Sequence, residues 1–341
     1  MTNVTVLGAG AWGTAFGQVL ADAGNNVTMW AIEPEIVEGI RDHHHNGVRL
    51  PSVKVLPSNM TATGDRAEAV ANADIVIVAI AAQFARVALV EFKDLIPETA
   101  LVASLMKGIE RTTGKRMDEV VMETLDLPAD RFAAISGPNL SKQIADREPA
   151  ATVVACENLD NARKIAAACT TDYFRAFVTR DVIGLEMCGS LKNVVALAVG
   201  MARGAGYGEN TAAMIETRGL AELTALGEAA GADPKTFVGL AGVGDLIATC
   251  GSPLSRNYTF GSNLGKGLSV EEATKVSNGV AEGVPTTDAV VALGKQYGVP
   301  TPLATAMSTC FRWHLLRADA VRTFRRRHQR RISFPQHRDC R

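Results

Sequence analysis

Three groups of residues in this chain have the types and spacing for chemistry. The first is Gly8-Ala9-Gly10-Ala11-Trp12-Gly13, a G-x-G-x-x-G turn between the run Val4-Thr5-Val6-Leu7 and an apolar stretch from Thr14 to Leu20. In that setting Gly8 permits a tight turn, Gly10 lets backbone approach a pyrophosphate, and Gly13 lets helix and strand pack closely. The unpaired N–H groups of the helix start then face the anion. Ordinary turns share the glycine pattern, but here a second strand, Val27-Thr28-Met29-Trp30, follows, and Glu33 falls twenty positions past Gly13. A carboxylate at that distance meets the diol of an adenosine ribose and repels a 2′-phosphate. The motif therefore predicts a dinucleotide cofactor, NAD(P), with a preference for NAD.

The second group is Lys192-Asn193, inside a stretch from Gly189 to Val199 that is apolar nearly all round. Such a helix is buried, so its lysine is out of place. A lysine at a helix start can snorkel to solvent; one facing a nucleotide cleft can exchange protons. If the cofactor is a nicotinamide, oxidation of an alcohol needs a group that takes the hydroxyl proton. Histidine is the commonest such group, yet His314, His328 and His337 lie in or near a basic C-terminal segment, away from any glycine-rich site signature. Lys192, with its pKa tuned by its surroundings, is then the best-placed base. Asp245, in Gly242-Val243-Gly244-Asp245-Leu246, is a candidate to orient that ammonium, although Gly-Asp also serves plain turns. The third group, Ser255-Arg256-Asn257, follows a Gly-Ser-Pro turn. One arginine between two short hydrogen-bonding side chains suits a phosphate, but the triplet alone is a weak signal.

The elements that must position these groups can be read from hydrophobic runs. Asp74 to Ile80, Ala100 to Leu105 and Phe132 to Ser136 are continuous apolar segments, as expected of strands buried on both faces of a parallel sheet. Strands alternating with helical stretches make a doubly wound α/β domain, whose ligands collect beyond the carboxyl ends of the strands. Lys107 and Asn139 sit just past two of those ends. A lone loop lysine is commonly only solvated, so position alone makes Lys107 a candidate. From Asp181 onward strand-like runs disappear and helical stretches dominate, as from Leu185 to Met201 and from Ala212 to Ala230. The expected fold is α/β: an N-terminal Rossmann-type doubly wound sheet over residues 1–180, an all-helical C-terminal domain over 181–311 carrying substrate and catalytic groups, and an atypical basic segment over 312–341.

Composition narrows the classes. At 341 residues and 47% hydrophobic content the chain is long enough for two domains with their own cores. A formal net charge of −1 gives no overall field to attract nucleic acid or an anionic membrane. The charge is uneven: from Arg312 onward ten arginines stand against Asp319 and Asp339. The Arg325-to-Arg331 run has too little apolar content to pack, so a disordered basic tail is expected rather than a nucleic-acid site. The six cysteines form no C-x-x-C pair, which argues against zinc or a disulfide framework. His43-His44-His45 point in different directions and suit a solvated loop better than a metal shell. No metal site, no signal peptide and no membrane-spanning apolar run is expected, and the cytoplasm is the default location.

Taken together these stretches resemble the bacterial NAD(P)-dependent glycerol-3-phosphate dehydrogenase family from Val4 to about Pro302. The resemblance rests on the glycine turn, Met106-Lys107-Gly108, Ser136-Gly137-Pro138-Asn139, Lys192-Asn193, Gly242-Val243-Gly244-Asp245, Ser255-Arg256-Asn257 and Val280-Ala281-Glu282-Gly283. It implies interconversion of sn-glycerol 3-phosphate and dihydroxyacetone phosphate, with Lys192 as proton acceptor and Asp245 beside it. Lys107, Gly137, Asn139, Lys192, Asp245, Ser255, Arg256 and Asn257 would line the substrate site. The cofactor would meet Gly8, Gly10, Ala11, Trp12, Gly13, Glu33, Lys107, Ser141, Arg256, Val280 and Glu282. The family further implies a homodimer and a role in supplying glycerol 3-phosphate for phospholipid synthesis. Two departures stand out: Ala31-Ile32-Glu33 replaces the basic residue that many members carry for NADP, and the segment from about Arg312 lacks the family's usual ending. A β-hydroxyacid dehydrogenase is the nearest competing enzyme, and Ser255-Arg256-Asn257 speaks against its carboxylate substrates. A dinucleotide sensor without turnover would dispense with Lys192 and Asp245.

Overall fold

The runs Val4 to Leu7, Val27 to Trp30, Ile75 to Val78, Leu101 to Ser104 and Phe132 to Ser136 are strands in the computed structural model, which describes residues 1–277 and 281–311. With three more they form one sheet: β1 Asn3–Leu7, β2 Asn26–Trp30, β3 Met60–Thr63, β4 Ile75–Val78, β5 Leu101–Ser104, β6 Phe132–Ser136, β7 Ala150–Ala155 and β8 Phe174–Thr179. The order is β3-β2-β1-β4-β5-β6-β7-β8. β1 to β6 are parallel, β7 runs antiparallel to β6, and β8 is parallel to β7. The first six strands thus have the 3-2-1-4-5-6 order of the dinucleotide-binding fold, with the switch point between β1 and β4. All four residues of β4, Ile75-Val76-Ile77-Val78, are buried, because both sheet faces are covered.

One face carries a core built on Val4, Val6, Phe16 and Ile77. The core on the other face, around Leu7, Val76 and Val78, continues without a break into Leu185, Leu191, Val195 and Leu226 of the helical part. The helical part is therefore packed onto the sheet. Its centre is the Val182–Gly204 helix, capped by Asp181, whose carboxylate accepts the Gly184 N–H at 2.9 Å. This helix is long and apolar enough to cross a membrane, but 89% of its most apolar window is buried inside the fold, so it is the hub of the helical part. Lys192 lies at its middle and is buried, which removes the snorkelling alternative. Against it packs the Arg256–Gly265 helix at backbone contact: a Cβ on Gly200 would stand 2.2 Å from the Tyr258 carbonyl oxygen, and one on Gly261 2.2 Å from that of Leu197.

Of the three histidines, His43 is the last residue of a helix, and His44 and His45 lead into the loop that follows it. α1 spans Ala11–Asp22 and α2 Pro34–His43, and His44 closes α2 in the left-handed conformation, φ 47°. Among the described residues no three His, Cys, Asp or Glu side chains are grouped as a metal ion requires. Cys156, Cys169, Cys188, Cys250 and Cys310 are free thiols. The expected basic tail, residues 312–341, and Val280 lie outside the described residues.

Candidate functional site

The glycine turn is shaped by close approach. Gly8 has φ 113°, and a Cβ there would lie 2.7 Å from the Ala79 carbonyl oxygen at the end of β4; a Cβ on Gly13 would lie 2.2 Å from the Gly8 oxygen. Neither position admits a side chain. Gly10 differs, since a Cβ there meets nothing within 4 Å. It faces open space at the N-terminus of α1, where Ala11, Trp12 and Gly13 are the first three helical residues. The first bond closing the helix runs from the Thr14 N–H to the Gly10 oxygen at 2.8 Å, and α1 carries no acidic residue in its first turn. Uncommitted N–H groups, a positive helix end and room in front of Gly10 fit a pyrophosphate. Trp12 packs edge-on to Phe16 at 5.5 Å, which holds its ring beside the turn.

The turn is clamped from the far side by a residue absent from the sequence expectations. Asn46, buried, donates to the Ala9 carbonyl oxygen at 3.0 Å and to Thr14 Oγ1 at 2.8 Å. Its own oxygen accepts the Arg49 N–H at 3.0 Å. Glu33 stands beyond the end of β2 as the residue preceding α2, where an adenosine ribose carboxylate is expected. It is paired there: Arg49 Nη2 lies 2.9 Å from Glu33 Oε1. The NAD preference expected above treated Glu33 as an uncompensated charge, and the fold supplies a cation beside it.

The catalytic candidates converge where β5 and β6 end against the middle of the Val182–Gly204 helix. Asp245 opens the Asp245–Gly251 helix and is buried. Its Oδ1 accepts a hydrogen bond from Lys192 Nζ, and its Oδ2 accepts one from Lys107 Nζ at 2.7 Å. Lys107 Nζ also reaches the Gly137 carbonyl oxygen at 3.3 Å. Lys192 Nζ donates to Thr249 Oγ1 at 2.6 Å, and Thr249 donates to Asp245 Oδ1 at 3.3 Å. Burial brings the Lys192 ammonium down from the ordinary lysine value to about 8; Asp245 opposes that fall and Lys107 adds to it. Burial pushes the Asp245 carboxyl up, but the Lys107 and Lys192 ammonium groups outweigh it and hold Asp245 below the ordinary range. Two cations on one carboxylate leave the centre with an excess positive charge.

The remaining candidates surround this centre. Ser255 caps the ten-residue Arg256–Gly265 helix, its Oγ accepting the Tyr258 N–H at 3.2 Å. Arg256 is exposed at the positive end of that helix. Asn257 accepts the Gly283 N–H at 2.9 Å and so ties this helix to the start of the Gly283–Tyr297 helix. Glu282 is raised by burial and lowered by Arg256, Lys107 and Lys192, which places its carboxyl within electrostatic reach of all three cations. A Cβ on Gly137 would lie 3.0 Å from the Ala151 oxygen, so the loop after β6 lies tight against β7. Asn139 holds it there, donating to Ala151 O at 3.1 Å and accepting from Thr152 Oγ1 at 2.9 Å; its carboxamide is partly spent on the loop. Ser141 begins the short Ser141–Ala145 helix that follows.

Hydrogen bonds thus join Lys107, Gly137, Lys192 and Asp245. Arg256 and Glu282 connect to them through charge. Glu33 stands apart from them, at the start of α2 and paired with Arg49. Thr249, Asn46 and Arg49 went unread in the sequence. Thr249 had a usable signal, since it follows Asp245 by one helical turn.

A doubly wound sheet whose switch point holds a glycine cradle, joined to a helical part that carries a buried lysine against the ends of the neighbouring strands, defines the two-domain dinucleotide-dependent oxidoreductases. D-mandelate dehydrogenase shares this fold, with a TM-score of 0.59 at 16% identity over 92% of this chain and 98% of that one. The chain matches the family models of the NAD-dependent glycerol-3-phosphate dehydrogenase N-terminus over residues 3–162 and C-terminus over residues 181–315, and it belongs to that family. It is 87% identical over 306 residues to a glycerol-3-phosphate dehydrogenase [NAD(P)+] of Bifidobacterium longum, covering 90% of this chain and 92% of that protein. A Corynebacterium kroppenstedtii protein of the same name is 50% identical over 313 residues, covering 91% and 94%. The crystal structure of glycerol-3-phosphate dehydrogenase from Coxiella burnetii superposes with a TM-score of 0.85 at 31% identity, covering 91% of this chain and 94% of that one.

Proposed function

We propose that this chain interconverts sn-glycerol 3-phosphate and dihydroxyacetone phosphate with NAD(P), Lys192 exchanging the proton of the C2 oxygen. The observation that carries the reading is the buried Lys192–Asp245–Lys107 centre, with Lys192 brought to about 8. Near neutral pH such an amine is available both as acid and as base, which proton transfer in the two directions requires. A nicotinamide bound in the cleft supplies or takes the hydride. In oxidation the neutral Lys192 Nζ takes the hydroxyl proton; in reduction the ammonium returns it to the carbonyl oxygen. Asp245 and Thr249 aim Nζ, and Lys107 adds positive charge where negative charge develops on oxygen. Arg256 and the helix end beneath it suit the phosphate.

The family resemblance extends the proposal to a cytoplasmic homodimer that supplies glycerol 3-phosphate for phospholipid synthesis. Consumption of NADH and NADPH, each measured with dihydroxyacetone phosphate, tests the activity. Absence of turnover with both cofactors overturns it. Turnover of a β-hydroxyacid in place of the phosphorylated substrate favours the competing enzyme.

A further inference from the structure

We propose that Arg49 is a specificity-determining residue at the adenosine end of the cleft, enabling it to accept a ribose 2′-phosphate as well as a free diol. The inference rests on the dinucleotide reading of the glycine cradle and goes beyond it. Glu33 alone repels a 2′-phosphate and accepts hydrogen bonds from a diol. Arg49 changes that balance, because its Nη2 lies 2.9 Å from Glu33 Oε1 and offsets the charge.

Arg49 is placed by the cradle itself. Its backbone N–H donates to Asn46 Oδ1, and the Asn46 amide donates to the Ala9 oxygen within the glycine turn and to Thr14 Oγ1 on α1. Three hydrogen bonds through one buried side chain therefore tie the turn that carries the guanidinium to the loop that would hold the pyrophosphate. A dinucleotide seated on that loop carries its ribose toward Glu33, and so toward Arg49. The Arg49 side chain is 49% exposed. Its bond to Glu33 uses Nη2, which leaves donors of the planar fork for a phosphate.

The pair then works as an exchangeable contact. A partly exposed ion pair is weak, so a phosphate dianion competes with Glu33 for the guanidinium. With a free diol, Arg49 remains on Glu33 and Glu33 receives the hydroxyl groups. A second arginine, Arg66, stands on the same sheet edge, 5.8 Å from the ring of Trp30 at the end of β2.

The test is the dissociation constants of NAD+ and NADP+, measured by titration calorimetry on the full-length protein without substrate. Arg49→Gln and Glu33→Gln both change partly exposed side chains, so folding is not at stake. The expected result is that Arg49→Gln raises the ratio of the NADP+ to the NAD+ dissociation constant by about tenfold or more, the scale of one lost charge-assisted hydrogen bond. Glu33→Gln lowers the same ratio. NADP+ binding by the parent also weakens more steeply with added salt than binding by Arg49→Gln does. An unchanged ratio in Arg49→Gln, or equal weakening of both nucleotides, overturns the assignment while leaving the dinucleotide reading intact. A parent protein that binds neither nucleotide overturns both.

Discussion

Lys107 Nζ lies 2.7 Å from Oδ2 of Asp245, on the oxygen that Lys192 does not use. One carboxylate thereby organises two ammonium groups of different standing: Lys192 is buried at the middle of an apolar helix, and Lys107 is half-buried on the loop after β5. Their shared anion makes the titration of Lys192 depend on both neighbours.

Replacing the Lys192 ammonium tests its part most directly. Lys192→Met keeps the stem and removes the charge, and kcat is expected to fall by roughly 10²–10⁴-fold, the scale of general acid–base catalysis. NADH affinity, read by fluorescence titration, should stay within a few-fold, because the glycine cradle is built without this helix. A near-parental kcat would transfer suspicion to Lys107.

The pH profile follows from the Lys192 value of about 8. Oxidation needs the neutral amine, so kcat/KM for glycerol 3-phosphate should rise as pH passes upward through about 8. Reduction needs the ammonium, so kcat/KM for dihydroxyacetone phosphate should fall over the same range. Asp245 raises the Lys192 value and Lys107 lowers it. Asp245→Asn should therefore move the midpoint to lower pH and Lys107→Met to higher pH, both read from the profile of residual activity. Shifts in the same direction would contradict the arrangement.

Arg256 stands exposed at the start of its helix, and Glu282 is the carboxylate that feels its charge. Arg256→Ala should weaken use of the phosphorylated substrate by about 1.5–3 kcal/mol, the range for hydrogen bonds to charged groups. That corresponds to KM rising roughly tenfold to a hundredfold. The specific signature is a fall in the efficiency ratio of dihydroxyacetone phosphate to dihydroxyacetone. A constant ratio would place the phosphate elsewhere.

Asn46 provides a contrast to Arg49. Asn46→Ala leaves the Ala9 oxygen and Thr14 Oγ1 without this donor, a loss of about 1–3 kcal/mol for buried polar groups. The cradle serves both nucleotides, so NAD+ and NADP+ affinity should both fall, NADP+ at least as far because Asn46 also accepts the Arg49 N–H, as measured by calorimetry. Selective loss of one nucleotide would show that Asn46 acts through Arg49 alone.

Much of this was legible from residue types because each signal was local or anomalous. The glycine turn lies between a strand and a helix, and Lys192 is a charge in an apolar helix. The buried central strands were equally plain, since both sheet faces are covered and polar residues are excluded. β3, β7 and β8 escaped notice: β3 and β8 are the sheet edges, where Met60-Thr61-Ala62-Thr63 and Phe174-Arg175-Ala176-Phe177 mix polar and apolar types, and β7, Ala150–Ala155, is only half-buried and opens on small alanines that carry no strand signal. Arg49 was hidden for a different reason: its partner is sixteen residues away across α2, and a surface arginine carries no periodic signal. Asn46 followed three histidines that drew attention to metal chemistry.

The glycine-lined contact between the Val182–Gly204 and Arg256–Gly265 helices has a consequence for the placement of Lys192 and Arg256. With the Leu197 and Tyr258 carbonyl groups standing where side chains would otherwise be, the two helices cannot slide past each other without backbone collision. One helix carries Lys192 and the other begins at Arg256, so the main chain sets the spacing of those two positions. The exposed Arg256 side chain then adjusts from a base that does not shift.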